Sequence, residues 1–394
     1  MSNIEAILLM LVSIGAFLMP FISKRLNLPS PVAEILFGLL IGFFFKDKIE
    51  ETKIINFLGE LGFIILMYLA GLEINFESIS KTPLRKKLIY LLVVILILVF
   101  SFIVVTYLKL NNIFILVILA TAIGLLYPVL KDSNLLSKPF GQSLLIIGSI
   151  GEVLSLFSIT VFFVIYKDGF SIKALEHLFA IILFLITTYI VLNIFRLYIW
   201  WNPEKVNTFL KTNDITESSV RANFMNMFVF VAIANLLGLE NIIGAFFGGM
   251  IFALVFKERH EITEKLASLG YGFLIPIFFI SVGLKFDITK FLNVEVLTLA
   301  LKLSILILIV RLFASFILIF AKFSIEEIIA TSFALSVPLT LLVAIATLGL
   351  DTGAFTEEVS SSIILTAIIT GLFYPWIFKI IVKKSNLKEE DNAS

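Results

Sequence analysis

Ala120-Thr121-Ala122-Ile123-Gly124-Leu125-Leu126-Tyr127-Pro128 has a counterpart about 210 residues further along the chain, Ala330-Thr331-Ser332-Phe333-Ala334-Leu335-Ser336-Val337-Pro338. Both segments follow the pattern Ala-Thr-x-x-x-Leu-x-x-Pro without a gap, and both lie within apolar stretches long enough to cross a bilayer. Because proline lacks a backbone donor and disrupts the preceding turn, each crossing helix is predicted to be broken near its proline. The two threonines, Thr121 and Thr331, are predicted to lie beside these breaks.

Other segments repeat in the same order and at a similar spacing. The matching pairs are residues 70–76 with 282–288 and residues 37–41 with 247–251. Predicted helices two to six, about 31–165, therefore repeat as helices nine to thirteen, about 241–382. The displacement is seven helices, an odd number, so the two copies are expected to face opposite ways across the membrane. Inverted repeats are typical of secondary transporters, whose substrate site lies near the midplane where the repeats meet.

The composition excludes a soluble globular protein. Of the 394 residues, 60% are hydrophobic and only 15% are charged, whereas about a quarter of the residues in soluble domains are charged. The apolar runs predict an all-α polytopic membrane protein that forms a single transporter domain over residues 1–394, without a soluble regulatory domain. The thirteen predicted spans are approximately 5–23, 31–46, 56–73, 86–108, 112–130, 141–165, 172–201, 218–237, 241–257, 268–284, 294–321, 325–349 and 358–382.

The distribution of basic residues predicts the orientation of the chain. Loops after odd-numbered helices contain 19 Lys and Arg residues, whereas the other loops contain 8. The positive-inside rule then predicts an external N-terminus and a cytoplasmic C-terminus in the cell membrane. A formal net charge of +1 gives no reason to expect a nucleic-acid partner, and the absence of cysteine excludes disulfides and thiolate metal sites. No cofactor is predicted.

Glu152 lies near the middle of predicted helix six, far from either membrane surface. A charge at such a depth costs roughly 2.5–3.5 kcal/mol, so an intramembrane acid indicates a functional site. Ser149 and Ser155 lie three residues to either side and share its helical face. With Thr121, these oxygens are predicted to bind a monovalent metal cation or a proton. The alternative is a carboxylate kept paired or protonated for packing.

Arg311 lies in predicted helix eleven at a depth similar to that of Glu152. Its predicted role is to balance charge, either that of Glu152 or that of the carbonyl ends of the broken helices. A structural tie between helices is the other interpretation. Lys302 is nearer the outer surface and is expected to extend towards it. Glu34 is a weaker candidate for a gate at the cytoplasmic mouth.

Motifs distributed over nearly the whole chain resemble those of one transporter family. The segments are Leu28–Gly38, Leu58–Glu73, Pro128–Lys131, Phe140–Gly141, Gly244–Phe246 and Pro276–Gly283. In this order they resemble the monovalent cation:proton antiporter superfamily, specifically its Kef and NapA-like sodium/proton antiporter branch. The resemblance implies thirteen helices, a moving core made of helices four to six and eleven to thirteen, and a homodimer joined through helix seven.

The chain departs from the family pattern at three places. Where the family usually has Asn-Asp or Asp-Asp in helix six, this chain has Gly151-Glu152, so the base that matches Arg311 loses a usual partner. Residues 336–340, Ser-Val-Pro-Leu-Thr, stand where many members have a Pro-Arg-Gly-Glu type of sequence. The chain also stops after helix thirteen, so ligand gating of the Kef type would require a separate subunit.

The leading hypothesis is a secondary antiporter, not an enzyme, that exchanges Na+, or also Li+ or K+, for H+. Glu152 would bind either the cation or the proton, because protonation removes the charge that holds the cation. With one central carboxylate, exchange is predicted to be one for one and electroneutral. A gated potassium efflux channel or transporter of the Kef type and a transport-inactive membrane sensor are the alternatives.

Overall fold

The fold is entirely helical in the computed structural model, which describes residues 3–26, 28–45, 52–136, 138–169, 171–201, 218–255, 260–291 and 293–384. Over these ranges the chain contains no β-strand, and the predicted fold class is confirmed. The helices in chain order are α1 (Asn3–Leu26), α2 (Ser30–Phe45), α3 (Lys53–Glu73), α4 (Phe76–Lys81), α5 (Leu84–Tyr107), α6 (Ile113–Leu119), α7 (Leu126–Asp132), α8 (Pro139–Asp168), α9 (Ile172–Trp201), α10 (Ser218–Leu236), α11 (Asn241–Val255), α12 (His260–Leu269), continued by a π-helical turn (Gly270–Leu274) into α13 (Ile275–Lys285), α14 (Ile288–Phe291), α15 (Val294–Ser315), continued by a 3-10 segment (Phe316–Ala321), α16 (Ile325–Leu335), α17 (Leu339–Asp351) and α18 (Glu357–Lys384).

The helices agree in position with the predicted spans. Within the described residues, nine helices are long and apolar enough to cross a membrane. Three shorter apolar helices, Ser30–Phe45, Val220–Leu236 and Asn241–Val255, coincide with predicted spans two, eight and nine. Two half-helices, α6 and α7, occupy predicted span five. Each predicted span thus has a helical counterpart, and the number of crossings stays a prediction.

The described part of the chain divides into two compact units. Unit 1 is drawn from Met1–Ala16, Glu51–Glu77 and Thr160–Ser281, and unit 2 from Phe17–Glu50, Ser78–Ile159 and Val282–Ser394. All the residues predicted from the sequence to form the ion site lie in unit 2.

In unit 1, α3 packs closely against α11. A Cβ atom at Gly71 would meet the backbone of Phe246, and one at Gly249 would meet the carbonyl group of Tyr68. Small residues permit this close approach of membrane helices. The Tyr68 hydroxyl donates to Asn223 Oδ1 at 3.0 Å and accepts from Asn226 Nδ2 at 3.0 Å, which ties α3 to α10.

In unit 2, α15 and α18 lie side by side. The Tyr374 hydroxyl of α18 donates to the Ser304 carbonyl of α15 at 2.8 Å, and the Thr366 hydroxyl reaches the Ala300 carbonyl at 3.3 Å. At one end of α18, Lys379 forms an ion pair of 2.9 Å with Asp132 at the end of α7. These contacts fix α18 against the helix that carries Arg311 and against one half-helix.

Two crossing helices of unit 2 are interrupted, as the sequence predicts. The first break, residues 120–125, separates α6 from α7. The second break, residues 336–338, separates α16 from α17, and Pro338 is the N-cap of α17. Pro128 is the third residue of α7, where a backbone N–H would have no helical acceptor in any case. Both prolines therefore lie where a helix begins again.

The two breaks lie beside each other. A Cβ atom at Gly124 in the first break would be 3.4 Å from Thr340 Cγ2, in the first turn of α17. A Cβ atom at Gly371 of α18 would be 2.8 Å from Leu339 Cδ1 and 3.7 Å from Leu125 Cδ1. Glycine at position 371 thus allows α18 to approach the ends of both half-helix pairs.

Candidate functional site

Glu152 is buried beside the first break. Its side chain lies on α8 and is 1% exposed to solvent. One carboxylate oxygen, Oε2, accepts a hydrogen bond from the backbone N–H of Ile123 at 3.3 Å. This N–H is available because Ile123 lies in the non-helical segment. The break therefore supplies a backbone donor to the one acidic side chain that the sequence places deep in helix six.

Ser155 connects α8 to the first break. Its hydroxyl oxygen accepts from the backbone N–H of Thr121 at 3.0 Å and donates to the Gly151 carbonyl of its own helix at 2.7 Å. The Thr121 hydroxyl donates to the Leu119 carbonyl at 3.1 Å, at the end of α6. Ser155 thus fixes the backbone at the start of the break, two residues before the N–H that contacts Glu152.

Gly151 allows Thr121 to lie against α8. A Cβ atom at position 151 would be 2.8 Å from Thr121 Cγ2 and 2.9 Å from Thr121 Cβ. Ordinary carbon–carbon contacts are about 3.5–4.0 Å. The side chain of Thr121 fills the space beside position 151, so the absence of a side chain at this position is a packing requirement of the site.

Arg311 binds the carbonyl ends of both broken helices. It is completely buried, and all four of its hydrogen bonds go to backbone carbonyl oxygens. Nε donates to Leu335 at 2.8 Å, at the end of α16. Nη1 donates to Ile118 at 2.8 Å, and Nη2 donates to Ala120, both at the end of α6. The fourth bond, from Nη1 to Ile307 at 3.1 Å, lies within α15.

This arrangement explains how a guanidinium group is accommodated in an apolar unit. The C-terminus of a helix carries the equivalent of roughly half a negative charge, because its last carbonyl groups have no helical donor. Two such ends therefore supply roughly one negative charge to Arg311. Arg311 thus contacts both half-helix ends, and whether it balances charge or only ties the helices together stays a prediction.

Thr331 is not beside a break, so its predicted position is wrong. It lies inside α16, five residues before the second break, and its hydroxyl donates to the Glu327 carbonyl of the same helix at 2.7 Å. Ser149 is buried on α8, where its hydroxyl donates to the Leu145 carbonyl at 2.8 Å. Thr331 and Ser149 thus each satisfy a carbonyl of their own helix, whereas Thr121 and Ser155 join two elements.

The other charged residues considered from the sequence are placed as follows. Lys302 is exposed on α15, and its position relative to the outer membrane surface stays a prediction. Glu34 is 3% exposed and lies within α2, so it is a buried residue of unit 2. Among the described residues no group of three His, Cys, Asp or Glu side chains could hold a resident metal ion. The Glu152 carboxylate contacts the Ile123 N–H of the first break, and Ser155 binds the same break at Thr121.

Sequence comparison places most of the chain within one family of transporters. Residues 12–384 match the family model described as sodium/hydrogen exchanger, transmembrane. The chain is 29% identical over 413 residues to the putative Na+/H+ antiporter YjbQ of Bacillus subtilis, which covers 99% of this chain. The chain spans 65% of the length of that relative. It is also 24% identical over 385 residues to a Na+/H+ antiporter of Enterococcus hirae, with 96% of this chain and 98% of the relative covered.

A solved structure has the same fold. The sodium proton antiporter MjNhaP1 of Methanocaldococcus jannaschii, determined at pH 8, superimposes with a TM-score of 0.64 over 97% of each chain. Sequence identity in this comparison is 17%. At this level of identity the match shows a likeness of fold.

Proposed function

The chain belongs to the transmembrane sodium/hydrogen exchanger family, and on that premise we propose that it exchanges a monovalent cation, Na+ in the first place, for H+. The observation that carries the proposal is the position of Glu152, buried on α8 with one oxygen 3.3 Å from the backbone N–H of Ile123. This carboxylate is the group at which the cation and the proton compete.

Competition at one carboxylate couples the two fluxes. The ionised form of Glu152 attracts a cation, and protonation removes that attraction. Hard oxygen ligands suit Na+ and Li+, and the hydroxyl groups of Thr121 and Ser155 lie next to the same segment of backbone. Alternating access then carries either the cation or the proton across the membrane.

Arg311 is proposed to keep a constant charge during the cycle. A guanidinium group does not release its proton in proteins, and its donors are engaged by carbonyl groups of α6, α15 and α16. One negative charge, that of Glu152, therefore accepts one cation or one proton. We propose electroneutral exchange with a ratio of one to one.

Four further features belong to the same proposal. The protein works as a homodimer in the cell membrane, with the N-terminus outside and the C-terminus in the cytoplasm. The two sets of helices from about 31–165 and 241–382 form inverted repeats within one transporter domain. No cofactor takes part, because the cation and the proton are substrates. Catalysis of a chemical reaction is not part of the cycle.

The substitution Glu152→Gln tests the role of the carboxylate. The amide keeps the shape of the side chain and an oxygen that can accept from Ile123, but it cannot carry the charge. We expect cation-dependent proton flux to be abolished in proteoliposomes that contain a pH dye, with normal expression and dimerisation. The matched control is Glu326→Gln, at an exposed position in the first turn of α16. Near-normal exchange in the Glu152 variant would refute the proposal.

Transport at a clamped membrane potential tests the proposed exchange ratio of one proton for one cation. A potential of 100 mV imposes about 2.3 kcal/mol on a cycle that moves one net charge. With K+ and valinomycin setting the potential and Na+ as the test cation, we expect the final ion gradients to be independent of voltage. A systematic shift would mean that a second group titrates, and Glu34 and Lys302 would be the next residues to substitute.

A further inference from the structure

An apolar groove with one charged end lies on the surface of unit 2. It is formed by the start of α5 and the 3-10 segment that follows α15, and it has a volume of about 530 Å³. Its lining consists of Arg85 and apolar side chains, among them Leu88, Leu92, Ile317 and Phe320.

The groove is a shallow, open depression whose lining is apolar except at its basic end. Its apolar side chains are exposed, with Leu88 at 57% and Phe320 at 62%, so the described protein does not cover them. Arg85 is the second residue of α5, and Leu92 lies two turns further along the same helix, a distance of about 10 Å at 1.5 Å per residue. The groove therefore runs from a cationic helix end along an apolar helix surface.

Three further basic residues are close in sequence to residues that line the groove. Arg85 and Lys86 are exposed, and Lys87 donates to the Ser80 carbonyl at 2.8 Å. Lys322 is exposed two residues after Phe320, where the 3-10 segment ends in a left-handed conformation with φ of 67°. All four bases belong to the loops that the positive-inside count assigns to the cytoplasm.

We propose that this groove binds an anionic phospholipid, with its phosphate at the basic end near Arg85 and an acyl chain along α5. Charge complementarity selects this occupant. Clusters of Lys and Arg at the cytoplasmic end of membrane helices attract anionic headgroups, and basic pockets between such helices bind them specifically. A zwitterionic lipid would fill the apolar part and gain less from the four bases.

Native mass spectrometry of the purified, delipidated protein in detergent tests the proposal. The probes are dioleoyl phosphatidylglycerol and dioleoyl phosphatidylcholine, added separately at the same concentrations. We expect the wild-type protein to retain phosphatidylglycerol at least fivefold more strongly than phosphatidylcholine. Arg85→Gln should weaken retention of phosphatidylglycerol about fivefold, which is the effect expected for one basic residue at an anionic surface.

Two other variants separate the effect of the basic side chain on lipid retention from the effect of the shape of the groove. Arg25→Gln is the matched control, because Arg25 is an exposed arginine at the end of α1 on the same predicted side and does not line the groove. It should retain phosphatidylglycerol as the wild type does. Leu88→Trp should reduce retention of both lipids by filling the groove, while the exposed position preserves the fold.

Three outcomes would overturn the proposal. Equal retention of the two lipids by the wild type would show that the basic end has no role. Unchanged binding in Arg85→Gln, or an equal loss in Arg25→Gln, would show that the charge acts only non-specifically. Displacement of phosphatidylglycerol by the same concentration of soluble glycerol phosphate would identify an anion site with no need for the acyl chain.

Discussion

Gly151→Ala adds one methyl group at the contact between α8 and the first break. The new Cβ would lie 2.8 Å from Thr121 Cγ2 and 2.9 Å from Thr121 Cβ. Normal contacts require about 3.5 Å or more, so Thr121 must move by roughly 0.6 Å or α8 must retreat. Thr121 is held by Ser155 at 3.0 Å and precedes Ile123, whose N–H contacts Glu152. The displacement therefore reaches the proposed ion site.

The expected cost follows from the strain of an overpacked core, which is typically about 1–3 kcal/mol. Since about 1.4 kcal/mol corresponds to a factor of ten in an equilibrium constant, the apparent KM for Na+ should rise by roughly five- to a hundredfold. Sodium-dependent proton flux in proteoliposomes, measured over a range of Na+ concentrations, gives KM and the maximal rate separately. Thermal unfolding of the purified variant in detergent checks that the fold persists.

Gly148→Ala is the control on the same helix. A Cβ atom there would lie 3.2 Å from Leu126 Cδ2, the far end of a flexible side chain, and transport should stay close to that of the wild type. Thr121→Ser removes the Cγ2 atom, so the double variant with Gly151→Ala should recover part of the lost affinity. Contacting residues typically show coupling of about 0.5–3 kcal/mol. Strictly additive effects, or equal behaviour of the two alanine variants, would refute the steric explanation.

Three other substitutions give distinct expectations. Arg311→Lys keeps the charge, but an ammonium group has only three donors, so at least one of the four bonds to carbonyl groups should be lost. At about 1.5–3 kcal/mol for each charged hydrogen bond, the free energy of unfolding should fall by at least ~1.5 kcal/mol, whereas Lys302→Arg at an exposed position of α15 should leave the melting temperature unchanged. Ser155→Ala removes the acceptor of the Thr121 N–H. Because a buried unsatisfied donor costs ~1–3 kcal/mol, the maximal transport rate should fall by up to about a hundredfold. A normal rate would show that the break holds its position without this bond. Thr121→Val removes the hydroxyl group and should raise the KM for Na+ more than it lowers the maximal rate, and an unchanged KM with normal folding would show that this side chain only packs.

The sequence could predict the helical framework because membrane spans have a strong local signal. Continuous apolar runs interrupted by charged or turn-forming residues locate the helices within a few residues, and this includes the short helices Ser30–Phe45 and Asn241–Val255. Proline likewise indicates a broken helix, and both predicted breaks are present. These features depend on residues near each other in the chain, which is why no alignment is needed to find them.

The position of the second break could not be predicted by aligning the second repeat with the first. The repeated pattern aligns Thr331 with Thr121, yet α16 continues to Leu335 while α6 ends at Leu119. One difference between the aligned segments is Gly124, whose counterpart is Ala334. Glycine costs a helix about 1 kcal/mol relative to alanine. The second copy therefore stays helical as far as Leu335, three residues before Pro338, whose ring removes a donor and clashes with the preceding turn, and Thr331 remains inside the helix.

The sequence predicts the half-helix carbonyl ends as one of two counter-charges for Arg311, but it cannot select them over Glu152. Carbonyl groups have no sequence signature, because every residue carries one, so a search for an acidic side chain at position 151 finds only glycine. In the structure the guanidinium group contacts two half-helix ends, and the side chain of Thr121 occupies the space beside position 151. An additional carboxylate in this space would displace Thr121 and add a second negative charge to a site where Arg311 already has its counter-charge. Glycine at position 151 and arginine at position 311 are therefore compatible. Together they leave Glu152 as the carboxylate on which the proposed exchange depends.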